Sequence, residues 1–503
     1  AKGEYVLPAL PYAYEALEGN TAKVIGAGHQ LVANYELADR IVSLDSDFLC
    51  LDSHGPTAAF FNRRKPEGAD YSKKADPGAM NRLYAVESTY SMTGGMADHR
   101  LRVAPSQILK IAAQIARGLG VGQASNVEAV TDEKHLKWIN ALVADLQATG
   151  GKSLVLAGSR LPEAVQVLAL AINEKLGNIG EGKPLKVVRT DSQGLGDFAA
   201  LTADLNGGVI DTLFLLTPPN PVYDAPADAN FSDALAKAKT VVHLGARTDA
   251  TAHAATWHVP ATHYLESWSD ARTINGLYTI VQPMILPLYS ECASDLEILA
   301  SLLTADGKLV TGETHDGKPS PAYDAVRATF EIIGGKGLDA WKKLLRDGYH
   351  AGTAYEVVVA TIPAAPVAAP AAASGVEVIF ATDGSIYDGR WIDNGWLQEA
   401  PDPISKLSWD NAALIAPETA KNLGVYQEIV QLETDRASRA PEGDDEGGKR
   451  TAPMIKLTVN GTELELPVLI AFGQAENTVV IPLGYGQGFD KGDKFNRNAE
   501  GKA

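Results

Sequence analysis

The chain has 503 residues, and its 44 lysines and arginines against 62 aspartates and glutamates give a formal charge of −18 at pH 7. An excess of negative charge argues against nucleic acid or an anionic lipid surface as the main partner. The two cysteines, Cys50 and Cys292, lie far apart and in no C-x-x-C motif. Because a [4Fe–4S] cluster needs four thiolates, this chain alone cannot ligate one, and we expect two free thiols.

Buried strands and amphipathic helices alternate along the first half of the chain. Apolar runs predict strands at 40–44, 153–158, 212–216 and 241–244. Helical spacing of apolar residues predicts helices that begin at a Ser106 cap, at Asp132 and at Glu163. This alternation is typical of an α/β fold with a parallel sheet.

The segment 241–288 is predicted to carry a loop to the carboxyl edge of a sheet. Two short strands flank an Ala-rich helix and lead into a loop that contains Glu266, Asp270 and Arg272. These three side chains are candidates for an acid–base set. An ion-pair network within the loop is the interpretation that we prefer, because charged loop residues commonly pair with one another.

Three histidines, His253, His258 and His263, are spaced five residues apart. On a helix, successive members of such a series differ by about 140° of rotation. On a strand an odd spacing alternates between faces, and Pro260 interrupts either element. The spacing therefore favours separate, hydrogen-bonded histidines over a zinc site with three histidine ligands.

The sequence Asp98-His99-Arg100 suggests a catalytic dyad at first sight. Adjacent side chains point apart in most backbone conformations, so we expect structural or interface hydrogen bonds here. The chain contains no G-x-S-x-G, H-E-x-x-H or G-x-G-x-x-G motif. The residues thus identify no catalytic, cofactor-binding or metal-binding site.

An uncharged run at 357–376 is long enough to cross a bilayer. However, Pro363, Pro366 and Pro370 remove helix donors and favour polyproline II. We interpret 363–375 as a semi-rigid Ala/Pro linker at a domain boundary, and we expect no membrane span in the chain.

Beyond this run the pattern changes to short strands. A helix that begins at Pro417 is predicted to end at Gly424. Alternating residues then predict four strands and an Asn460-Gly461 hairpin turn. The predicted strands are 428–433, 455–459, 463–470 and 479–482.

Several of these segments resemble the molybdopterin oxidoreductases of the dimethyl sulfoxide reductase superfamily. They are LGNIG at 176–180, WHVPA at 257–261 with Glu266, Gly276 and Gln282 behind it, and the Asn-to-Gly stretch 411–424. Where that family has a glycine pair, this chain has Thr217-Pro218-Pro219. Prolines lack the N–H donors that a phosphate-rich cofactor needs, so this departure counts against cofactor binding.

The resemblance implies a division into Rossmann-like α/β domains and a C-terminal double-psi β-barrel. The expected parts are an α/β domain at 1–150, a Rossmann-like α/β domain at 151–362, the linker at 363–375, and a molybdopterin-dinucleotide-binding-like barrel at 376–503. The first of these is N-terminally incomplete relative to the family. Since the chain starts at Ala1 without an apolar signal core, we expect it to be processed or part of something longer.

A narrower resemblance, to the large B subunit of alternative complex III, rests on six long motifs. They are SLDSDFL (43–49), MNRLYAVEST (80–89), TGGMADHRLRV (93–103), NPVYDAPAD (220–228), HYLESWSDAR (263–272) and NGWLQEAPDPISKLSWDNAALI (394–415). That complex oxidises quinol in bacterial membranes. In its B subunit, a molybdoenzyme-like part without the molybdenum cofactor is joined to a ferredoxin-like part with iron–sulfur clusters.

The resemblance implies a cofactor-less scaffold that supports the iron–sulfur part of a respiratory or photosynthetic electron-transfer complex. The expected partners are that ferredoxin-like part, multihaem cytochrome c subunits and a quinol-binding integral membrane subunit, at the periplasmic face of the cytoplasmic membrane. The loops around Asp98 and Glu266 would serve intersubunit packing. Two alternatives stay open: an active molybdopterin-dependent oxidoreductase, and a freestanding enzyme with histidine-bound zinc.

Overall fold

The computed structural model describes residues 24–26, 28–53, 55–64, 80–190, 198–216, 220–303, 320–369, 375–426, 452–459 and 462–486. The chain divides into two compact units. Unit 1 comprises Ala1–Val187 and Val357–Ala503, and unit 2 comprises Val188–Glu356. Unit 2 is therefore an insertion in the sequence of unit 1.

The amino-terminal part of unit 1 has, in its described residues, a four-stranded parallel sheet and a separate pair of strands. Its strands are β1 (His29–Ala33), β2 (Arg40–Leu44), β3 (Arg82–Glu87), β4 (His99–Arg102), β5 (Ser153–Ala157) and β6 (Leu185–Arg189). The order β4-β3-β2-β5 is parallel throughout, and β1 pairs with β6. The predicted strands at 40–44 and 153–158 are confirmed. Because β5 pairs with β2, this sheet runs across residue 150, where the sequence analysis places a domain boundary.

The described residues of this part also form helices. They are Ala58–Asn62, Met92–Gly95, Pro105–Gly118, Glu133–Ala148 and Glu163–Lys175, with 3₁₀ turns at Tyr35–Leu37 and Gly122–Ala124. The three longer helices confirm the periodicity, and Ile108, Ile111 and Ile115 are fully buried. The prediction of Ser106 as a cap was wrong. Ala104 is the cap residue because Pro105 takes the first helical position, and the Ser106 hydroxyl donates to Glu377 at 2.7 Å.

The described residues of unit 2 form two small sheets. Its strands are β7 (Thr212–Leu216), β8 (Thr240–Gly245), β9 (Trp257–Pro260), β10 (Ser269–Arg272), β11 (Tyr278–Val281) and β12 (Tyr349–His350). Strands β7-β8-β9 form a parallel sheet, while β10-β11-β12 form a separate antiparallel one. Thus the predicted strand, short helix and strand of 241–260 are confirmed, whereas the returning strand β11 belongs to a different sheet.

Within the described residues, helices accompany the sheets of unit 2. They are Phe198–Asn206, Pro221–Asp224, Phe231–Leu235, Ala250–Ala254, Asp295–Leu303, Pro321–Ile332 and Gly337–Asp347, with a 3₁₀ turn at Ala227–Ala229. Tyr278, Phe330 and Trp341 form one apolar cluster. Within the described ranges, no helix is long and apolar enough to cross a membrane.

The chain re-enters unit 1 through the Ala/Pro segment. Ile362 and Val367 are buried in the core of unit 1. The backbone N–H of Val367 donates to the Gln123 carbonyl at 2.9 Å, and the Gln123 amide donates to the Pro363 carbonyl at 3.1 Å. The described part of the predicted linker is therefore packed along the core of unit 1.

The carboxyl-terminal part of unit 1 is a mixed five-stranded sheet in the order β13-β17-β14-β16-β15. Its strands are β13 (Glu377–Ala381), β14 (Ala413–Ile415), β15 (Met454–Val459), β16 (Thr462–Ile470) and β17 (Thr478–Pro482), with helices Gly395–Glu399 and Pro417–Asn422. The predicted strands at 455–459, 463–470 and 479–482 are confirmed. The predicted strand 428–433 and the Asn460-Gly461 turn lie outside the described residues, and closure into a double-psi barrel stays a prediction.

Candidate functional site

A cavity of about 270 Å³ lies within unit 1, at the carboxyl ends of β2, β3 and β5. The segments that follow β13 and β17, together with residues 402–411, form its other wall. In parallel α/β sheets, ligands bind outside the carboxyl ends of the strands. The position of this cavity makes it the candidate site.

Carboxylates dominate the cavity. The loops of the first sheet contribute Asp45, Asp47, Asp52 and Glu87. The carboxyl-terminal wall contributes Asp383, Asp388, Asp402 and Asp410. Arg160 is the one basic side chain among the described residues that line it.

Asp45 joins all three strand ends. It directly follows β2, with a left-handed φ of 50°. One carboxylate oxygen accepts the Ser88 N–H at 3.2 Å, after β3. The other accepts from Arg160, after β5, at 2.8 and 3.0 Å. The charge of Arg160 is thereby largely neutralised within the framework of the site.

Glu87, at the end of β3, is almost completely buried. The Nε of Arg100 donates to its carboxylate at 2.5 Å, and the Ser91 hydroxyl donates at 2.5 Å. Burial raises the pKa of Glu87, while Arg100 and Ser91 oppose that shift. Arg100 also lies 4.8 Å from the centre of the Tyr90 ring. The ion pair between Glu87 and Arg100 stabilises the edge of the sheet beside the cavity.

Two further carboxylates tie neighbouring loops together. Asp47 accepts the Thr93 N–H at 2.9 Å, and burial raises the pKa of Asp47. Asp52 accepts the Ser159 N–H at 3.2 Å. The SLDSDFL motif, which contributes Asp45 and Asp47, therefore builds the floor of the cavity.

The opposite wall is built from tight turns. Asp383 accepts the backbone N–H groups of Ser385 and Ile386 at 2.7 and 2.9 Å. Burial raises the pKa of Asp383, and the charge of Asp402 adds to the shift. Asp402 accepts in the same way from the backbone N–H groups of Ile404 and Ser405. These turns hold both carboxylates at the cavity.

The charge of the cavity can be compared with that of molybdopterin, the cofactor of the family that the sequence resembles. A phosphate-rich pterin needs backbone N–H groups, helix N-termini or basic side chains to neutralise its phosphates. Here eight carboxylates of the described chain line the cavity, and Arg160 is paired with Asp45. The residues present do not fit such an anionic group in this cavity.

The residues Asp98, His99 and Arg100 have separate structural partners. Asp98 forms an ion pair with Arg64 at 2.5 Å. The His99 ring stacks on the Tyr84 ring, with the ring centres 4.8 Å apart. Arg100 forms an ion pair with Glu87. The contacts of Asp98, His99 and Arg100 are therefore structural.

The three histidines lie on different elements. His253 is in the helix Ala250–Ala254, His258 is on β9 and His263 is in the turn that follows. His258 contacts His243, with the two Nδ1 atoms 3.1 Å apart. Burial lowers the pKa of His243, the nearby charge of Asp249 opposes that shift, and His258 lowers it further. The described residues contain no group of three side chains that could hold a metal ion.

Glu266, Asp270 and Arg272 likewise have different roles. Glu266 accepts the His263 N–H at 2.8 Å and the Leu288 N–H at 3.0 Å. Asp270 accepts from the Tyr278 hydroxyl at 2.7 Å. Arg272 donates to the carbonyls of Gly276 and Thr353. Each residue fixes a different part of the loop and its neighbours.

Asn220 follows β7 in unit 2 and is buried. Its side-chain oxygen accepts from the backbone and hydroxyl of Thr251 at 3.1 and 2.7 Å, whereas its Nδ2 has no hydrogen-bond partner among the residues that the structure describes. The residues Thr217-Pro218-Pro219 lie outside the described residues.

Sequence reasoning missed Asp383, Asp402 and Tyr485 as a cluster. A local signal was present, because Asp-Gly-Ser at 383–385 and Asp-Pro-Ile-Ser at 402–405 are typical of turns capped by an aspartate side chain. Their convergence on the loops of the first sheet depends on pairing over several hundred residues.

No protein-family model and no curated protein matches the chain. The structure has a molybdopterin-oxidoreductase-like fold. It is similar to the solved structure of acetylene hydratase from Pelobacter acetylenicus, an enzyme of the molybdopterin-dependent dimethyl sulfoxide reductase family. The TM-score is 0.55 at 13% sequence identity, and the alignment covers 93% of this chain and 73% of that chain. At this identity the likeness shows the fold alone.

Proposed function

We propose that this chain is the molybdopterin-oxidoreductase-like part of the B subunit of alternative complex III, and that it is a scaffold without a cofactor. The observation that carries the proposal is the acidic cavity at the carboxyl edge of the first sheet. Its charge repels a phosphate-rich pterin, while the fold is that of proteins that bind one. Such a combination is expected where a fold is kept and its cofactor is lost.

The long motifs that resemble the B subunit support a structural role. Asp45 and Asp47 of the first motif bind the loops after β3 and β5. Glu87, Thr93 and Arg100 of the next two motifs complete the same network. These residues hold the framework together through contacts with one another.

An exposed apolar surface in unit 2 supports association with other subunits. Met284, Leu288 and Tyr289 are 75%, 75% and 70% exposed. Glu266 fixes this segment through the Leu288 N–H, and the backbone N–H of Met284 donates to the Leu265 carbonyl at 2.7 Å. Large apolar side chains held on an ordered loop make good interface residues.

The proposed partners are a ferredoxin-like iron–sulfur part, multihaem cytochrome c subunits and a quinol-binding membrane subunit, at the periplasmic face of the cytoplasmic membrane. The test is purification of the native material in detergent, followed by metal analysis, pterin extraction and identification of the subunits. We expect haem and iron–sulfur partners without molybdenum, tungsten or pterin. Stoichiometric molybdopterin would contradict the proposal.

The apolar surface gives a second test. The double variant Met284→Ser/Leu288→Ser should lose co-purifying subunits while its thermal unfolding stays unchanged, because both side chains are exposed. The control is Leu423→Ser/Met454→Ser, which changes two exposed apolar residues of unit 1. Equal recovery of subunits with both variants would remove the 284–289 loop from the interface.

A second candidate function is that of an active molybdopterin-dependent oxidoreductase. The fold shared with acetylene hydratase favours it. This candidate requires stoichiometric molybdenum or tungsten with its pterin, so the same elemental analysis separates the two.

A further inference from the structure

Tyr485 places an unpaired polar group in the acidic cavity. Its side chain lines the cavity and is 4% exposed. Within the described chain, the contacts give its hydroxyl no hydrogen-bond partner. Burial and the charges of Asp383, Asp410 and Asp402 raise the pKa of Tyr485, so the phenol lies within electrostatic reach of three carboxylates. The Tyr485 side chain is thus buried as a whole, and its hydroxyl is available to a molecule inside the cavity that it lines.

The three carboxylates around Tyr485 also have no cationic partner among the described residues. Asp383 and Asp402 accept from backbone N–H groups of their own turns, and Asp410 accepts from the N–H of Asn411. The charge of Asp402 adds to the rise that burial causes in the pKa of Asp383. The three carboxylates therefore act as hydrogen-bond acceptors, and the Tyr485 hydroxyl can accept as well. No cation among the described residues compensates the negative charge of the three carboxylates.

The remainder of this wall is apolar. Phe380, Leu414 and Val480 line the same cavity. Its volume of about 270 Å³ lies just below the range of roughly 300–1,000 Å³ that is typical of pockets for drug-sized ligands. The cavity is thus suited to a small ligand with a cationic head that donates several hydrogen bonds and a short apolar body.

We propose that this cavity binds an ammonium or guanidinium group carried on a short alkyl chain. Tyr485, Asp383 and Asp402 accept its hydrogen bonds, and the apolar wall contacts the alkyl chain. The apolar residues of the same wall favour an organic cation. The group belongs either to a free amine or to a lysine or arginine side chain of a partner. This inference stands apart from the proposed function.

Isothermal titration calorimetry on the full chain tests the proposal. The probes are agmatine and butylamine, with butanol as the neutral analogue and butyrate as the anionic one. We expect saturable binding of the two cations at one site and none of butanol or butyrate. Absence of saturable cation binding, or equal binding of butanol, would overturn the proposal.

Variants locate the binding. Tyr485→Phe, Asp383→Asn and Asp402→Asn should each weaken cation binding roughly tenfold or more, as expected for loss of a hydrogen bond to a charged group. The matched controls are Tyr349→Phe and Asp339→Asn in unit 2, which should bind like the unaltered chain. Near-ultraviolet circular dichroism verifies folding. If an aspartate variant does not fold, the test rests on the affinity of Tyr485→Phe for the cations and on the comparison of butylamine with butanol. An unchanged affinity of Tyr485→Phe for the cations would contradict the assignment of the ligand to this cavity.

The blocked residues N-acetyl-lysine methylamide and N-acetyl-arginine methylamide distinguish the sources of the cation. Binding of a blocked residue as tight as that of agmatine supports a side chain of a partner. Preference for the free amines supports a small molecule. Either result upholds the class of ligand.

Discussion

Gly94 lies against the carboxylate of Glu87, and this contact explains a glycine in the TGG motif. A Cβ atom at residue 94 would be 1.7 Å from Oε1 of Glu87. We expect Gly94→Ala to lower the free energy of unfolding by about 1–3 kcal/mol, as overpacking does. In Gly95→Ala the added carbon would be 3.6 Å from the nearest atom, so stability should stay the same or rise slightly. Urea denaturation of both variants measures the difference, and equal stabilities would contradict the contact.

Cys50 lines the acidic cavity, and its thiol should react slowly. Although the residue is exposed on one side, partial desolvation of its thiol in the cavity and the charges of Asp47 and Asp402 raise the pKa of Cys50 to about 11. A raised thiol pKa leaves the group protonated at pH 8, where the thiolate is the nucleophile. In a Cys292→Ala background, we expect alkylation by iodoacetamide to accelerate only as the pH approaches 11.

Removal of one neighbouring charge should reverse this effect in part. Asp47→Asn takes away a charge that disfavours the thiolate, so alkylation of Cys50 at pH 8 should be about three- to tenfold faster. Asp339→Asn serves as the control and should leave the rate unchanged. A rate insensitive to Asp47→Asn would show that burial alone sets the pKa.

At the residue scale, the local sequence predicts where single side chains lie on helices and strands better than it predicts which side chains contact one another. The separation of His253, His258 and His263 follows from helical and strand geometry. The contact of His258 with His243 was not predicted, because it depends on the register of β8 and β9. The clustering of Asp383 and Asp402 likewise requires the tertiary fold.

At the scale of secondary structure, Asp145 attaches a helix to the sheet of unit 1. Its Oδ2 accepts from Arg40, Arg82 and Tyr84 at 2.6, 2.8 and 2.7 Å. Burial acts to raise the pKa of Asp145, but these hydrogen bonds and the charge of Arg40 outweigh it, and the pKa is lowered. The helix Glu133–Ala148 is thereby held against β2 and β3.

The lowered pKa gives a prediction with a defined sign. A carboxyl whose folded-state pKa is depressed contributes stability above its ordinary pKa of about 3.9 and loses it as the pH falls through the lower folded value. Asp145→Asn should therefore cost about 2 kcal/mol at pH 7, with a smaller difference from the unaltered chain below pH 4. Glu331→Gln, at an exposed i,i+4 pair, should change stability by about 0.5 kcal/mol or less. Urea denaturation at both pH values checks this, and a constant difference would contradict it.

Elements with strong periodicity were predicted, and short polar ones were not. The helices that start near Pro105, at Glu133 and at Glu163 show clear apolar spacing. Strand β4 reads His-Arg-Leu-Arg and has no apolar alternation. Strand β12 pairs with β11 across about 70 residues, and local sequence carries no signal of such pairing.

At the scale of the whole molecule, unit 2 is inserted between two segments that lie side by side. The Val358 N–H donates to the Val187 carbonyl at 2.8 Å, so the chain leaves and re-enters unit 1 at one place. Replacement of residues 190–355 by a short Gly/Ser linker should leave unit 1 folded, because loop closure costs little over a short gap. Cooperative unfolding and a native-like near-ultraviolet spectrum are expected. A variant that lacks cooperative unfolding would show that unit 1 depends on unit 2.

The insertion also explains why the domain boundaries were hard to predict. Near residue 187 and again near residue 357, the sequence runs through Val-rich, strand-like stretches without the polar or glycine-rich composition of a linker. The Ala/Pro run is the most evident break in composition, yet Ile362 and Val367 lie in the core. Composition therefore indicates a change in the path of the chain, and packing decides where a unit ends.

The discontinuity of unit 1 has a consequence for biosynthesis. When a ribosome has polymerised Val187, the first sheet has its strands but lacks Ile362, Val367 and the carboxyl-terminal strands. All of unit 2 must emerge before those residues are translated. Unit 2, being contiguous, can fold as it emerges. The nascent unit 1 exposes part of its apolar interior until the residues after Val357 have been translated, and chaperones should bind it during that interval.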